Sequence, residues 1–206
     1  MKTILQINSS LNSTDGVSSR LADQTVAELL AANPDARLVV RDLARDPVPH
    51  LDNERFAAFI AKPDARTKAQ LAIVQESDAL IDELRRADAV VLGLPMYNFG
   101  VPSQLKTWID HVARAGVSFK YTEAGPVGLM TGKKAYVLAA RGGKYAGTSA
   151  DTQTQYVRDI LGFLGITDVE FVYAEGLAIS ETSRNEAIAA AQRLIGRLAA
   201  QEKMAA

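Results

Sequence analysis

Apolar and polar positions along the chain fall into two alternating rhythms. Short runs rich in Val, Ile and Leu occur at Thr3–Asn8, Arg37–Asp42, Ala89–Leu94, Ala135–Ala140 and Val169–Tyr173. Runs of this length and composition predict strands buried on both faces. Between them lie longer stretches of helical period. Ala22, Val26, Leu29 and Leu30 form one stripe; Ile73, Leu80, Ile81 and Leu84 form another. A third carries Leu105, Trp108, Ile109 and Val112, and a fourth Tyr156, Ile160, Phe163 and Leu164, stopping near Gly165 as a C-terminal cap. The last helix is expected to start around Ser183, with Glu186 completing a capping box, and to run through Ile188, Ala191, Ile195 and Leu198.

Strands alternating with helices imply right-handed crossovers. The predicted architecture is α/β: a doubly wound, five-stranded parallel sheet with helices on both faces, formed by residues 1–206 as one domain. Asp46–Lys68 is polar and holds three prolines, so it is expected as a surface excursion with a short helix around Phe56–Ile60. Gly116–Gly132 is glycine-rich and reads as a second excursion.

Composition narrows the chemistry. The 206 residues are 48% hydrophobic and 23% charged, with a formal net charge of -1. Acidic and basic residues are interspersed, which argues against nucleic acid or an anionic membrane as partner. There is no cysteine, so thiol catalysis, disulfides and cysteine-held metals are excluded. His50 and His111 stand alone and no metal-ligand cluster is expected; His111 reads as a surface or packing residue. The N-terminal apolar stretch is too short for a signal peptide and no later run suffices for a membrane span, so a cytoplasmic location is expected.

In an open α/β sheet, ligands sit outside the carboxyl ends of the strands. Three loops there have unusual compositions. Ser9–Ser19 is rich in hydroxyls and leads directly into a helix, whose N-terminus suits a phosphate. It also reads as a solvated turn with a serine cap. It lacks the dinucleotide-binding G-x-G-x-x-G pattern. Pro95–Ser103 offers Met96, Tyr97 and Phe99 after a buried strand, which suits a flat ring; aromatic packing on the next helix is the alternative. Ala140–Lys144 contains Gly142-Gly143, which lets backbone approach a ligand or forms a flexible turn. Gly128–Lys134 only superficially resembles a P-loop: the glycine spacing is one residue short and a strand follows.

Together, Ser9-Ser10, Pro95-Met96-Tyr97-Asn98-Phe99 and Arg141-Gly142-Gly143 resemble the FMN-dependent NADH-azoreductases. So do Leu105-Lys106, Ala113–Val117, Phe119–Glu123, Gly165–Asp168 and Ala174-Glu175-Gly176, and the match spans nearly the whole chain. The resemblance implies a flavodoxin-like homodimer with tightly, non-covalently bound FMN. It implies that NADH or NADPH reduces the FMN and leaves, and that an azo dye or quinone is then reduced. No side-chain catalyst is required. The family's FMN contacts fall on Ser10, Gly16, Val17, Ser18, Met96, Tyr97, Asn98, Phe99, Ala140, Arg141, Gly142 and Gly143. Tyr121 and Phe163 match its substrate-side aromatics, with Phe163 contributed across the dimer. The family often carries hydroxyl or amide side chains at the places of Gly16 and Val17, and serine at that of Ala140. Competing expectations are a flavodoxin-type electron carrier, a phosphate-binding module without redox chemistry, and a quinone reductase whose azo activity is incidental.

Overall fold

In a computed structural model describing residues 1–205, with the side chains of 203–205 left aside, the five expected strands form one parallel sheet. They are β1 (Thr3–Asn8), β2 (Arg37–Asp42), β3 (Ala89–Pro95), β6 (Lys134–Ala140) and β7 (Asp168–Ala174), in the order β2-β1-β3-β6-β7. The helices are α1 (Val17–Ala32), α2 (Asn53–Ile60), α3 (Lys68–Arg86), α4 (Ser103–Val112), α5 (Thr154–Leu164) and α6 (Glu181–Ala205).

Alternation along each strand divides the core between the two faces. Leu5, Ile7, Val90, Leu92, Leu94, Ala135 and Val137 pack with Leu80, Leu84, Trp108, Val112, Val157 and Leu161 of α3, α4 and α5. Ile4, Ala89, Val91, Tyr136 and Leu138 face Leu21, Val26 and Leu29 of α1 and Ala191 and Ile195 of α6. Strand β2 pairs on one side only, and its Val40 is 53% exposed. The strand order reverses between β1 and β3, and the carboxyl ends at such a switch point are where open α/β sheets place their ligand crevice.

Most helix boundaries follow the sequence. Gly165 closes α5 in the left-handed conformation (φ 100°), as its position predicts. The short helix of the first excursion is α2, started by the Asp52 side chain accepting from Arg55 N–H. The start of the last helix differs from expectation. It lies at Glu181, where the Ser180 hydroxyl oxygen accepts the Ser183 amide, while the Ser183 hydroxyl donates to Gly176 O. Ser183 is thus inside the first turn, and an earlier serine supplies the cap. The second excursion is also more ordered than its glycines suggest. It folds as an antiparallel hairpin of β4 (Phe119–Thr122) and β5 (Gly125–Gly128). Gly128–Lys134 is the connection from that hairpin into β6, not a phosphate loop.

Candidate functional site

The crevice is assembled from the three loops that follow β1, β3 and β6. The first begins with Ser9, whose hydroxyl donates to Gly93 O at 2.7 Å and so seats the loop on β3. Ser10 is buried at 2% exposure; its hydroxyl oxygen accepts Asn12 N–H at 3.2 Å. Gly16 caps α1 without a side chain. A Cβ there would collide with the Ser10 side chain, so the helix start approaches Ser10 as only glycine permits. The first intrahelical bond runs from Arg20 N–H to Gly16 O, which leaves the Val17, Ser18 and Ser19 amides at the helix mouth. The hydroxyls of Ser18 and Ser19 are buried there without a hydrogen-bond partner. Native proteins seldom leave buried polar groups unmatched, so this end of α1 is built to receive an acceptor. Unpaired amides, two orphaned hydroxyls and the positive end of the helix dipole together fit a phosphate group.

The second loop is a tight turn. Tyr97 and Gly100 exchange hydrogen bonds (3.2 and 2.9 Å), and Asn98 (φ 49°) and Phe99 (φ 60°) both occupy the left-handed region. For Asn the cost is small; for an aromatic residue it is roughly 1–3 kcal/mol and persists only where surrounding structure enforces it. The enforcing contacts come from the segment ahead of α5. Gln153 Nε2 donates to Pro95 O and to Gly100 O, both at 2.9 Å, and the Thr152 hydroxyl donates to Phe99 O. Phe99 remains 55% exposed and meets Tyr145 edge-on at 5.6 Å. The turn thus presents the exposed ring of Phe99 beside Tyr145.

The third loop places Arg141 at 0% side-chain exposure. Its guanidinium pairs with Asp151 at 2.9 Å and Glu175 at 3.1 Å, donates to Thr154 and Gln153, and lies over the Tyr173 ring. Its amide and carbonyl are also engaged, with Ala174 O and Leu177 N–H. Arg141 therefore anchors the loop, while Gly142 and Gly143, which follow it, carry the backbone at the crevice. Partial burial raises the Asp151 carboxyl, but the Arg141 guanidinium and the Thr154 hydroxyl and amide outweigh it and hold the group at about 2. The ion pair therefore stays charged throughout the neutral range.

The loops meet directly. The Tyr97 hydroxyl lies 3.4 Å from Ser10 Oγ and accepts Leu11 N–H at 3.2 Å, and Met96 N–H donates to Ala140 O at 3.0 Å. Ser10, Gly16, Val17, Ser18, Met96–Phe99 and Ala140–Gly143 are thus brought to one end of the sheet. Tyr121 and Phe163 are not. Phe163 lies in the last turn of α5, just before Gly165 and the start of β7. The hairpin that bears Tyr121 is rooted there too, through Phe119 against Phe163 at 4.2 Å and Gly128 against Gly165. A seven-residue strand separates the two ends by about 20 Å. Tyr121 is 72% exposed, and its ring meets Phe119 edge-on.

His111 is fully buried, its Nδ1 on Thr107 O at 2.9 Å and its ring edge-on to Phe59; burial above all lowers its pKa. It is a packing residue remote from the crevice. Asp151, Thr152 and Gln153 are the contributors the sequence did not disclose; Glu175 stood in a family-like stretch, but its pairing with Arg141 did not show. A polar run before a helix has no periodicity to distinguish a buried clamp from a solvated loop. Among the described residues no group of acidic and histidine side chains could hold a metal ion, and no helix is long and apolar enough to cross a membrane.

Residues 2–198 match the model of a family described as having a flavodoxin-like fold. An FMN-dependent NADH:quinone oxidoreductase of Burkholderia lata is 54% identical over 195 residues, covering 95% of this chain and 98% of that protein. A protein of the same name from Alcanivorax borkumensis is 56% identical over 189 residues, covering 92% and 96%. Among solved structures, an azoreductase of Bacillus anthracis superposes with a TM-score of 0.88 at 30% identity, covering 97% of this chain and 99% of that one. An FMN-dependent NADH-azoreductase of the same organism, in complex with FMN, superposes with a TM-score of 0.88 at 26% identity, covering 98% and 99%.

Proposed function

The chain belongs to the flavodoxin-like family of FMN-dependent NADH:quinone oxidoreductases, and on that premise we propose that the three converging loops are its FMN site. It is an oxidoreductase that uses FMN and takes its electrons from NADH. When bound, FMN would supply the two-electron chemistry between NADH and a quinone or azo compound, and the chain's residues would hold and tune it.

The chain's own residues bind, orient and polarise. Ser10 and the α1 mouth at Gly16, Val17, Ser18 and Ser19 hold the phosphate. Met96, Tyr97, Asn98 and Phe99 support the ring. Gly142 and Gly143, with Ala140 and Arg141 setting their position, present backbone at the polar edge of the ring, where amide donors stabilise negative charge. The hydroxyl or amide side chains common in the family at the Gly16 and Val17 positions are replaced here by helix-mouth amides and the Ser18 and Ser19 hydroxyls. One observation carries this reading: two buried hydroxyls without partners at the helix N-terminus whose Gly16 abuts Ser10.

In this reading nicotinamide and acceptor would occupy the site in turn, a ping-pong order. Tyr121 and Phe163 lie too far from their own crevice to line it, so in this reading a second copy of the chain supplies them and residues 1–206 act as one domain of a homodimer. Initial rates measured over a grid of NADH and quinone concentrations test the order. Parallel double-reciprocal lines support it; intersecting lines overturn it. Loss of acceptor turnover in Tyr121→Ala, with reduction by NADH intact, would support the aromatic's place on the acceptor side.

A further inference from the structure

Gln153 is 0% exposed, yet all of its polar atoms are used. Its two amide hydrogens reach Pro95 O and Gly100 O at 2.9 Å each, and its Oε1 accepts Arg141 Nε–H at 3.3 Å. The two carbonyls bracket the turn in which Asn98 and Phe99 stand in the left-handed region. Arg141 in turn is fixed by Asp151 and Glu175, at the base of the glycine loop. One side chain therefore ties the loop after β3 to the loop after β6. Its neighbour Thr152 adds a hydroxyl bond to Phe99 O. Nothing in Gln153 reaches the crevice itself.

We propose that Gln153, seconded by Thr152, is a positioning residue: it holds the Met96–Phe99 turn in the conformation that presents the aromatic wall to FMN, and it sets that wall's distance from the Gly142-Gly143 backbone. The proposal rests on the FMN site argued above. A glutamine is suited to this because it donates twice while accepting once, and a leucine of similar volume does neither. Without the donors, two buried carbonyls lose their partners and a strained aromatic position loses what enforces it. The turn then relaxes towards ordinary dihedrals, and a preformed ring site becomes one that each binding event must order.

The test compares the parent chain with Gln153→Leu and Thr152→Val, each prepared free of FMN. Titration with FMN, followed by quenching of its fluorescence, gives Kd; visible circular dichroism of the loaded protein reports the ring's surroundings; thermal unfolding of the FMN-free protein reports the fold. The proposal predicts that Gln153→Leu raises Kd about 10- to 100-fold, for two lost hydrogen bonds, and Thr152→Val about 3- to 10-fold. Both change the visible dichroism, and Thr152→Val does so with little effect on Tm. A lower Tm with Kd within twofold of the parent and unchanged dichroism in both variants overturns the proposal and leaves Gln153 a packing residue. If Gln153→Leu does not fold, Thr152→Val decides alone. A parent chain that binds no FMN is a different result: it refutes the FMN site, and the positioning role falls with it.

Discussion

The Tyr97 hydroxyl stands 3.4 Å from Ser10 Oγ, and so joins the phosphate end of the crevice to its ring wall. The same oxygen accepts the Leu11 amide at 3.2 Å, which makes Tyr97 a support for the first loop as well as a surface for the ring. Tyr97→Phe keeps the ring and deletes this node. At about 1 kcal/mol per hydrogen bond, FMN affinity should fall roughly 5- to 30-fold while the fold is kept. A fluorescence titration checks it.

The unpaired hydroxyls of Ser18 and Ser19 predict opposite effects on stability and binding. In the FMN-free protein, Ser18→Ala removes a buried polar atom that has no partner, so stability should stay level or rise by up to about 1 kcal/mol. FMN affinity should fall at the same time, because the hydroxyl is then missing from the phosphate cradle. Urea unfolding and cofactor titration on the same preparation measure both.

Asp151 gives a pH signature. Its carboxyl is held at about 2, against an ordinary value of 3.8, by Arg141 and Thr154. A depressed folded value means that this stabilisation is fully present above the unfolded value and is lost as pH falls through about 2. Asp151→Asn should therefore cost about 2–3 kcal/mol at neutral pH, and the difference from the parent should shrink progressively below about pH 4. Urea unfolding of both proteins at pH 7 and pH 3 shows whether the gap narrows.

Gly128 and Gly165 touch backbone to backbone where the β4–β5 hairpin meets the end of α5. A Cβ on Gly128 would collide with Leu164 C and Gly165 N, and backbone atoms cannot swing aside. Gly128→Ala should destabilise the chain by about 2–4 kcal/mol, read as a fall in Tm. It should also displace Phe119 from Phe163, and so weaken acceptor turnover more than FMN binding.

The sheet was legible because parallel strands covered on both faces are written as unbroken apolar runs, and each of the five was found within about two residues. The hairpin was not, since Gly125-Pro126-Val127-Gly128 carries neither alternation nor β-branched density; it is held by its contact with α5. The site was legible as loops but not as roles. Ser10 and Met96–Phe99 converge as their positions after strands suggest. Arg141, by its charge a natural ligand contact, turns inward to Asp151 and Glu175. Of the residues that hold it there, Asp151 and Gln153 lie in 151–153, where buried polar clamps and solvated loops share the same composition. The distance of Phe163 from the crevice follows from the parallel topology, but that of Tyr121 depends on the hairpin being rooted at the end of α5, which the glycine-rich sequence does not disclose.

The most direct measurement of the central claim is the visible absorption spectrum of the FMN-loaded protein, before and after anaerobic NADH and then after a quinone. The account predicts a flavin spectrum that bleaches with NADH and returns when the quinone is added. A protein that takes up no FMN, or whose bound flavin NADH leaves oxidised, would contradict it.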